Sequence, residues 1–242
     1  MSTSTTSLVL RSLRKLSILS LVALSFVGGA FYLKLSQSAA NTSTAMVSKV
    51  FPDPAADIPT TNAKGMQTAV FAGGCFWGLE AVFEHLKGVS DVVSGFSGGK
   101  AETAHYGLVS FGQTGHAESV KITYDPAQIS YGQLLKVYFA VAHDPTQLNR
   151  QGPDSGTQYR SAIFFANNEQ KQVAQAYIEQ LRAAQVFNKP IVTQLAPLQG
   201  FYAAEAEHQN FIANNPNYPY VVVHDLPKLE QLKTQFAARY KN

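Results

Sequence analysis

The sequence predicts an α+β protein, a two-layer sandwich built from split β-α-β units. Three observations point there. Strand-like and helix-like segments alternate, but imperfectly. A long polar connection separates the second and third strands. The chain has 242 residues, 45% of them hydrophobic and one of them cysteine, so it must fold around an apolar core without an internal disulfide. The same composition excludes collagen-like, low-complexity and wholly disordered chains.

Residues 67–71 form the first apolar strand, stopped by Gly73-Gly74. Phe76, Leu79, Val82, Phe83 and Leu86 then recur at helical spacing, and Gly88 ends that helix. Residues 89–96 read as the second strand, closed by Gly98-Gly99. A polar connection spans 100–116. Residues 117–124 alternate through Val120, Ile122 and Tyr124 as the third strand, and Asp125-Pro126 closes it. Ser130 suits the N-cap of a helix carrying Leu134, Leu135, Val137, Tyr138 and Val141, which His143-Asp144-Pro145 breaks. After a polar loop over 146–157 come a strand at 161–166 and a helix at 169–184 capped by Asn168. A strand over 191–195, a short helix over 203–213, a short apolar run at 221–223 and a helix from Lys228 to Tyr240 complete the pattern.

Ahead of this body stands a segment of another kind. Residues 1–40 hold Arg11, Arg14, Lys15 and Lys34 and no acid, which leaves 15 basic and 16 acidic residues, a net charge of −1, against +3 for the whole chain. The body is therefore near neutral and gives no reason to expect nucleic-acid binding. Leu16 to Leu33 is an uncharged run of 18 residues between Lys15 and Lys34, with a small-residue cleavage candidate at Ser38-Ala39-Ala40. This is the layout of a signal peptide or membrane anchor that exports the body, with an organellar transit peptide or a buried core helix as alternatives. Residues 41–64, with Pro52, Pro54 and Pro59, read as a flexible linker. The expected division is thus 1–40 signal or anchor, 41–64 linker, 65–225 catalytic domain and 226–242 tail.

The chemistry gathers at Gly73-Gly74-Cys75-Phe76-Trp77-Gly78. The only cysteine lies at a strand-to-helix junction, where free amides and the helix dipole favour an anion, so its thiol pKa is expected below the usual value of about 8.5. The residues alone leave two readings open, a nucleophile or a buried structural cysteine. His85, His105, His116, His143 and His224 show no metal-ligand spacing, and no metal is assigned.

Residues 65–80, GMQTAVFAGGCFWGLE, closely resemble the catalytic segment of A-type peptide methionine sulfoxide reductases. The resemblance continues through GFSGG at 95–99, GHAESV at 115–120, YDP at 124–126, HDP at 143–145, RQGPD at 150–154, GTQYRSAI at 156–163 and AEAEHQ at 204–209. It implies a ferredoxin-like mixed sheet with helices packed on one face. It implies reduction of methionine S-sulfoxide, free or in proteins, as a repair of oxidative damage. Position by position, Cys75 would be the nucleophile, Phe76 and Trp77 the wall for the substrate S-methyl group, and Glu118 the acid on the sulfoxide oxygen. Tyr106 and Tyr159 would donate hydroxyls to that oxygen, and Asp154 would orient the polar network. A carboxyl group among aromatic rings is kept protonated by desolvation, as that role requires. Glu205 and His208 fall in a matching segment as packing or supporting residues.

No cofactor is expected to be bound. Many family members carry further cysteines near the C-terminus, and residues 214–242 carry none. The resemblance therefore implies resetting by an external thiol, from thioredoxin or from a glutaredoxin/glutathione system. The membrane is expected as a partner only through residues 1–40, and the body is expected to be monomeric. Two other classes compete. One is a cysteine hydrolase or acyltransferase pairing Cys75 with His116 or His208. The other is a non-catalytic module binding sulfoxides or peptides in an aromatic pocket.

Overall fold

The structure, a computed structural model, describes residues 50–59 and 65–242. The expected signal or anchor, 1–40, lies outside the described residues. Among the described residues no helix is long and apolar enough to cross a membrane.

Strand β1 (Gln67–Ala72) alternates, and the two faces of the sheet divide its side chains. Ala69 and Phe71 enter the main core, and Val70 and Ala72 face a smaller apolar cluster with Ala117, Ala162 and Phe164. β1 lies near the centre of a six-stranded sheet. It pairs antiparallel with β3 (Ala117–Tyr124) from Gln67 opposite Tyr124 to Ala72 opposite Ser119, and with β6 (Ala162–Phe165). β3 also pairs antiparallel with β2 (Val89–Ser97), which sets Phe96 opposite Glu118. The two edges are β7 (Gln194–Pro197), parallel to β6, and β8 (Phe201–Ala203), antiparallel to β2. The six strands run in the order β7-β6-β1-β3-β2-β8, a mixed sheet, as expected for the α+β class, and β4 (Arg150–Gln151) and β5 (Asp154–Ser155) form a separate antiparallel pair.

The helices cover the main-core face. α1 (Phe76–Glu84) buries Phe76, Leu79, Val82 and Phe83 against it, and Gly88, at φ +91°, turns the chain into β2. α3 (Tyr131–Val137) starts at a full capping box, in which Ser130 and Gln133 satisfy each other's backbone amides. It runs on as a π-helical turn, Tyr138–Ala142, before His143 becomes extended. α4 (Asn168–Ala183) adds Val173, Tyr177 and Leu181. Phe71 sits among these helices, its ring centroid 5.0 Å from Tyr138 and 5.7 Å from Phe83.

Several elements differ from expectation. The 100–116 connection contains a 3-10 turn and a one-turn helix, α2 (Tyr106–Val109), too short to leave a periodic signature. Asn167, not Asn168, caps α4, accepting the Gln170 amide at 2.9 Å. The strand expected at 191–195 is β7, three residues on, and it reaches Pro197. An edge strand tolerates a proline, which lacks only the donor that faces outward. The helix expected over 203–213 is instead the last residue of β8, a 3-10 turn at Ala206–His208 and α5 (Phe211–Asn214). The 221–223 run is part of a π-helical turn, Val221–Asp225, that leads directly into α6 (Leu226–Gln235), two residues earlier than expected. Residues 226–242 pack on the body: Leu232 is fully buried and Tyr240 bridges to Leu86.

The described part of the expected linker, 50–59, is held rather than free. Tyr177 donates to the Pro52 carbonyl at 2.9 Å, and Gln180 holds both the Ala55 amide and the Asp53 carbonyl. Asp57 accepts from the Gly132 amide at 2.9 Å and from the Ser130 hydroxyl at the start of α3. The prolines that suggested a linker instead hold an extended strap whose polar groups find partners on α3 and α4.

Candidate active site

Two glycines set Cys75 in place. A Cβ at Gly73 would lie 2.8 Å from the His143 ring, and one at Gly74 would lie 2.6 Å from the Gln151 side chain. Gly74 also has φ +95°, a conformation side chains disfavour. The chain can thus turn from β1 into α1 beneath the 143–151 loop and leave Cys75 at the helix N-cap. Its side chain makes no capping hydrogen bond, and the residue is 9% exposed.

Glu118 reaches the same place from β3. It is 2% exposed and accepts the Phe76 amide at 3.1 Å. Burial raises its pKa from 4.5 to about 8, outweighing that amide, and the Asp154 charge raises it further. At neutral pH the carboxyl keeps its proton. The Cys75 thiol behaves otherwise than expected. Burial and the carboxylates of Glu118 and Asp225 push its pKa well up, against the Trp77 amide and Lys228. A helix terminus contributes about 0.3–1 kcal/mol, less than the 1.36 kcal/mol of one pKa unit. Desolvation of a buried sulfur is the larger effect.

A cleft of about 200 Å³ is lined by Cys75, Phe76, Trp77, Tyr106, Glu118, Asp154, Tyr159, Tyr218 and Tyr220. All seven residues singled out from sequence line it. Tyr106 comes from α2, where Glu205 accepts its backbone amide at 3.0 Å and the His208 ring lies 4.1 Å from its own. Burial raises the Tyr106 pKa to about 12 and raises that of Tyr159, so both hydroxyls remain donors. Trp77 stacks on Phe211 at 3.6 Å, nearly coplanar, which fixes its ring at the cleft wall. Glu205 and His208 therefore act by holding Tyr106, Phe76 and Trp77.

Tyr218 and Tyr220 were not anticipated. Tyr220 donates a short hydrogen bond to Asp154, so the aspartate is anchored from the C-terminal segment. The only sequence signal was Tyr-Pro-Tyr at 218–220, in a stretch read for its lack of cysteine.

The hydrolase reading loses its bases. The His116 ring accepts the Gly99 amide at 3.2 Å and bonds the Lys100 carbonyl at 2.9 Å, so both nitrogens serve the local turns. His208 packs behind the aromatic wall and does not line the cleft. Among the described residues no group of three or more His, Cys, Asp or Glu side chains is placed to hold a metal ion.

Residues 67–240 match the family model for peptide methionine sulfoxide reductase. The chain belongs to that family. The reductase is 58% identical over 196 residues to peptide methionine sulfoxide reductase MsrA 2 of Synechocystis sp., covering 80% of this chain and 92% of that protein. It is 60% identical over 178 residues to the protein of the same name from Mesorhizobium japonicum, covering 74% and 91%. Among solved structures, methionine sulfoxide reductase A of Corynebacterium diphtheriae matches with a TM-score of 0.54 and 37% identity, covering 64% of this chain and 77% of that one. These relatives place the reductase in the A type.

Proposed function

We propose that this peptide-methionine (S)-S-oxide reductase, which repairs oxidised methionine, works through Cys75 as nucleophile and Glu118 as general acid. The observation that carries the reading is a carboxyl group buried in the same narrow cleft as the only cysteine, where burial raises its pKa to about 8 and so favours its protonated form at neutral pH. A sulfoxide oxygen departs only once protonated, and a buried acid with a pKa of about 8 is matched to that task.

The substrate S-methyl group rests against Phe76 and Trp77. Glu118 delivers its proton to the sulfoxide oxygen, while the Tyr106 and Tyr159 hydroxyls stabilise charge developing there. The Cys75 sulfur attacks the sulfoxide sulfur, its thiol proton replacing the one Glu118 gives up. The S–O bond breaks, the new sulfur–sulfur bond opens to release methionine, and the oxygen ends on Cys75. Methionine sulfur is reduced by two electrons, and Cys75 is oxidised by two, to the sulfenic acid. Asp154, anchored by Tyr220, orders the polar side of the cleft. An external thiol then condenses with the sulfenic acid, releasing water and leaving a mixed disulfide. A second thiol frees Cys75. With one cysteine in the chain, no internal disulfide can intervene. The reductant is a thioredoxin-like or glutaredoxin/glutathione-type thiol. The body acts as a monomer outside the cytoplasm, delivered by residues 1–40.

Sulfoxide-dependent oxidation of dithiothreitol tests the site. The wild type consumes dithiothreitol and Cys75→Ser does not; equal activity in both would refute the assignment.

A further inference from the structure

The start of the C-terminal helix brings a charge pair, its aspartate buried and its lysine half-buried, onto the helix that Cys75 opens, and the chemistry above does not use it. Lys228, in the first turn of α6, bonds Asp225 Oδ1 at 3.0 Å. Both heads press on Gly78: a Cβ there would lie 2.7 Å from Lys228 Nζ and closer still to Asp225 Oδ1, so a larger residue would have to displace the pair. Gly78 is the third residue of α1, three on from the N-cap Cys75. An N-cap side chain lies against the amides of the first helical turn, and Gly78 is the third residue of that turn. The pair therefore packs on the same first turn of α1 that Cys75 opens. Asp225 is 1% exposed, and its Oδ2 has no hydrogen-bond partner among the described residues. A carboxylate in that condition is costly to bury, and here its one ionic partner is Lys228.

We propose that Asp225 and Lys228 are positioning residues that set the charge around the Cys75 sulfur, Lys228 favouring its thiolate and Asp225 opposing it. The other titratable groups that line the cleft with Cys75 are Glu118 from β3, Asp154 from β5, Tyr106 from α2, and Tyr159, Tyr218 and Tyr220 from the loops around it. None of these is a cation, so the positive charge on the Cys75 side of α1 comes from Lys228. Its effect falls on the last step of the cycle, a consequence that rests on the reductase reading above. There a thiolate R′S⁻ attacks the outer sulfur of the mixed disulfide Cys75–S–S–R. The R′S–SR bond forms, the S–S bond to the Cys75 sulfur breaks, and Cys75 leaves as thiolate with the electron pair. A leaving thiol of lower pKa leaves faster, so the Lys228 charge speeds the reset.

Alkylation of the full chain by iodoacetamide, followed against pH, reads the Cys75 thiolate directly, because no other thiol is present. Lys228→Gln, which keeps a donor for Asp225 and removes the charge, is expected to raise the midpoint by about one pH unit, so that alkylation below it slows about tenfold. Asp225→Asn is expected to lower the midpoint by a similar amount, and Lys228→Arg to leave it near the wild-type value. Should Lys228→Gln not fold, Lys228→Arg and Asp225→Asn carry the comparison. Midpoints that do not move, that move together or that move with the signs exchanged would overturn the proposal, since a purely structural pair has no reason to shift the thiol in opposite directions. The measurement needs no sulfoxide, so it stands whether or not Cys75→Ser abolishes turnover.

Discussion

Replacing Glu118 by glutamine should make the reductase more stable and far less active. In the unfolded chain this carboxyl ionises above about 4.5, whereas in the folded protein it keeps its proton until about 8. Below pH 4.5 neither state is charged at this position, and the glutamate costs nothing extra. Between the two values the unfolded state gains by ionising and the folded state does not, so stability falls by about 1.36 kcal/mol per pH unit. At pH 7 the deficit is about 3 kcal/mol, and it levels off at about 5 kcal/mol above pH 8. Glutamine preserves the carbonyl that accepts the Phe76 amide and cannot ionise. Urea unfolding of the wild type and Glu118→Gln at pH 4 and pH 7 should therefore give curves that differ little at pH 4. At pH 7 the variant should be the more stable by about 2–3 kcal/mol. Its turnover should fall about 10²–10⁴-fold, the usual contribution of a positioned acid. A stability difference independent of pH would refute the argument that burial holds the proton on Glu118.

Three further outcomes follow from the same geometry. Phe211→Ala removes the ring stacked on Trp77 without touching Cys75, and KM for methionine sulfoxide should rise about 2–10-fold in steady-state assays while kcat changes less, as the loss of one aromatic pair implies. Gly74→Ala places a Cβ into Gln151 at a positive φ and should cost about 1–3 kcal/mol in denaturant unfolding together with activity, because the strain lies directly before Cys75. Asp57→Ala releases the strap from the start of α3 and should lower stability by about 0.5–2 kcal/mol with kcat/KM unchanged, since that contact is remote from the cleft.

What the sequence disclosed and what it hid separate along one physical line. The alternation of β3, the glycines before Cys75 and the Ser130 cap are local signals, and each holds in the structure. The cleft residues were legible because their motifs are specific in type and order, although the positions holding them are far apart in the chain. The thiol pKa was not legible. The helix N-terminus is visible in sequence, but the larger effect is burial beneath residues from β3 and the C-terminal segment, which only the fold reveals. Tyr218 and Tyr220 were hidden for the same reason: they reach the cleft from the stretch between α5 and the π-helical turn at Val221–Asp225, which has no periodic pattern of its own. α2 and α5 span four residues each, barely one helical period, so no repeat can show in the sequence. The strap at 50–59 was misjudged because prolines suit both free linkers and docked extended segments. Partners on α3 and α4 decide between the two.

Mass analysis of Cys75 after a single turnover is the most direct trial of the chemistry. Reduced enzyme mixed with one equivalent of methionine S-sulfoxide, with no external thiol, should yield one methionine per chain and a Cys75 peptide heavier by one oxygen atom. Methionine formed while Cys75 stays reduced would contradict the role given to that residue.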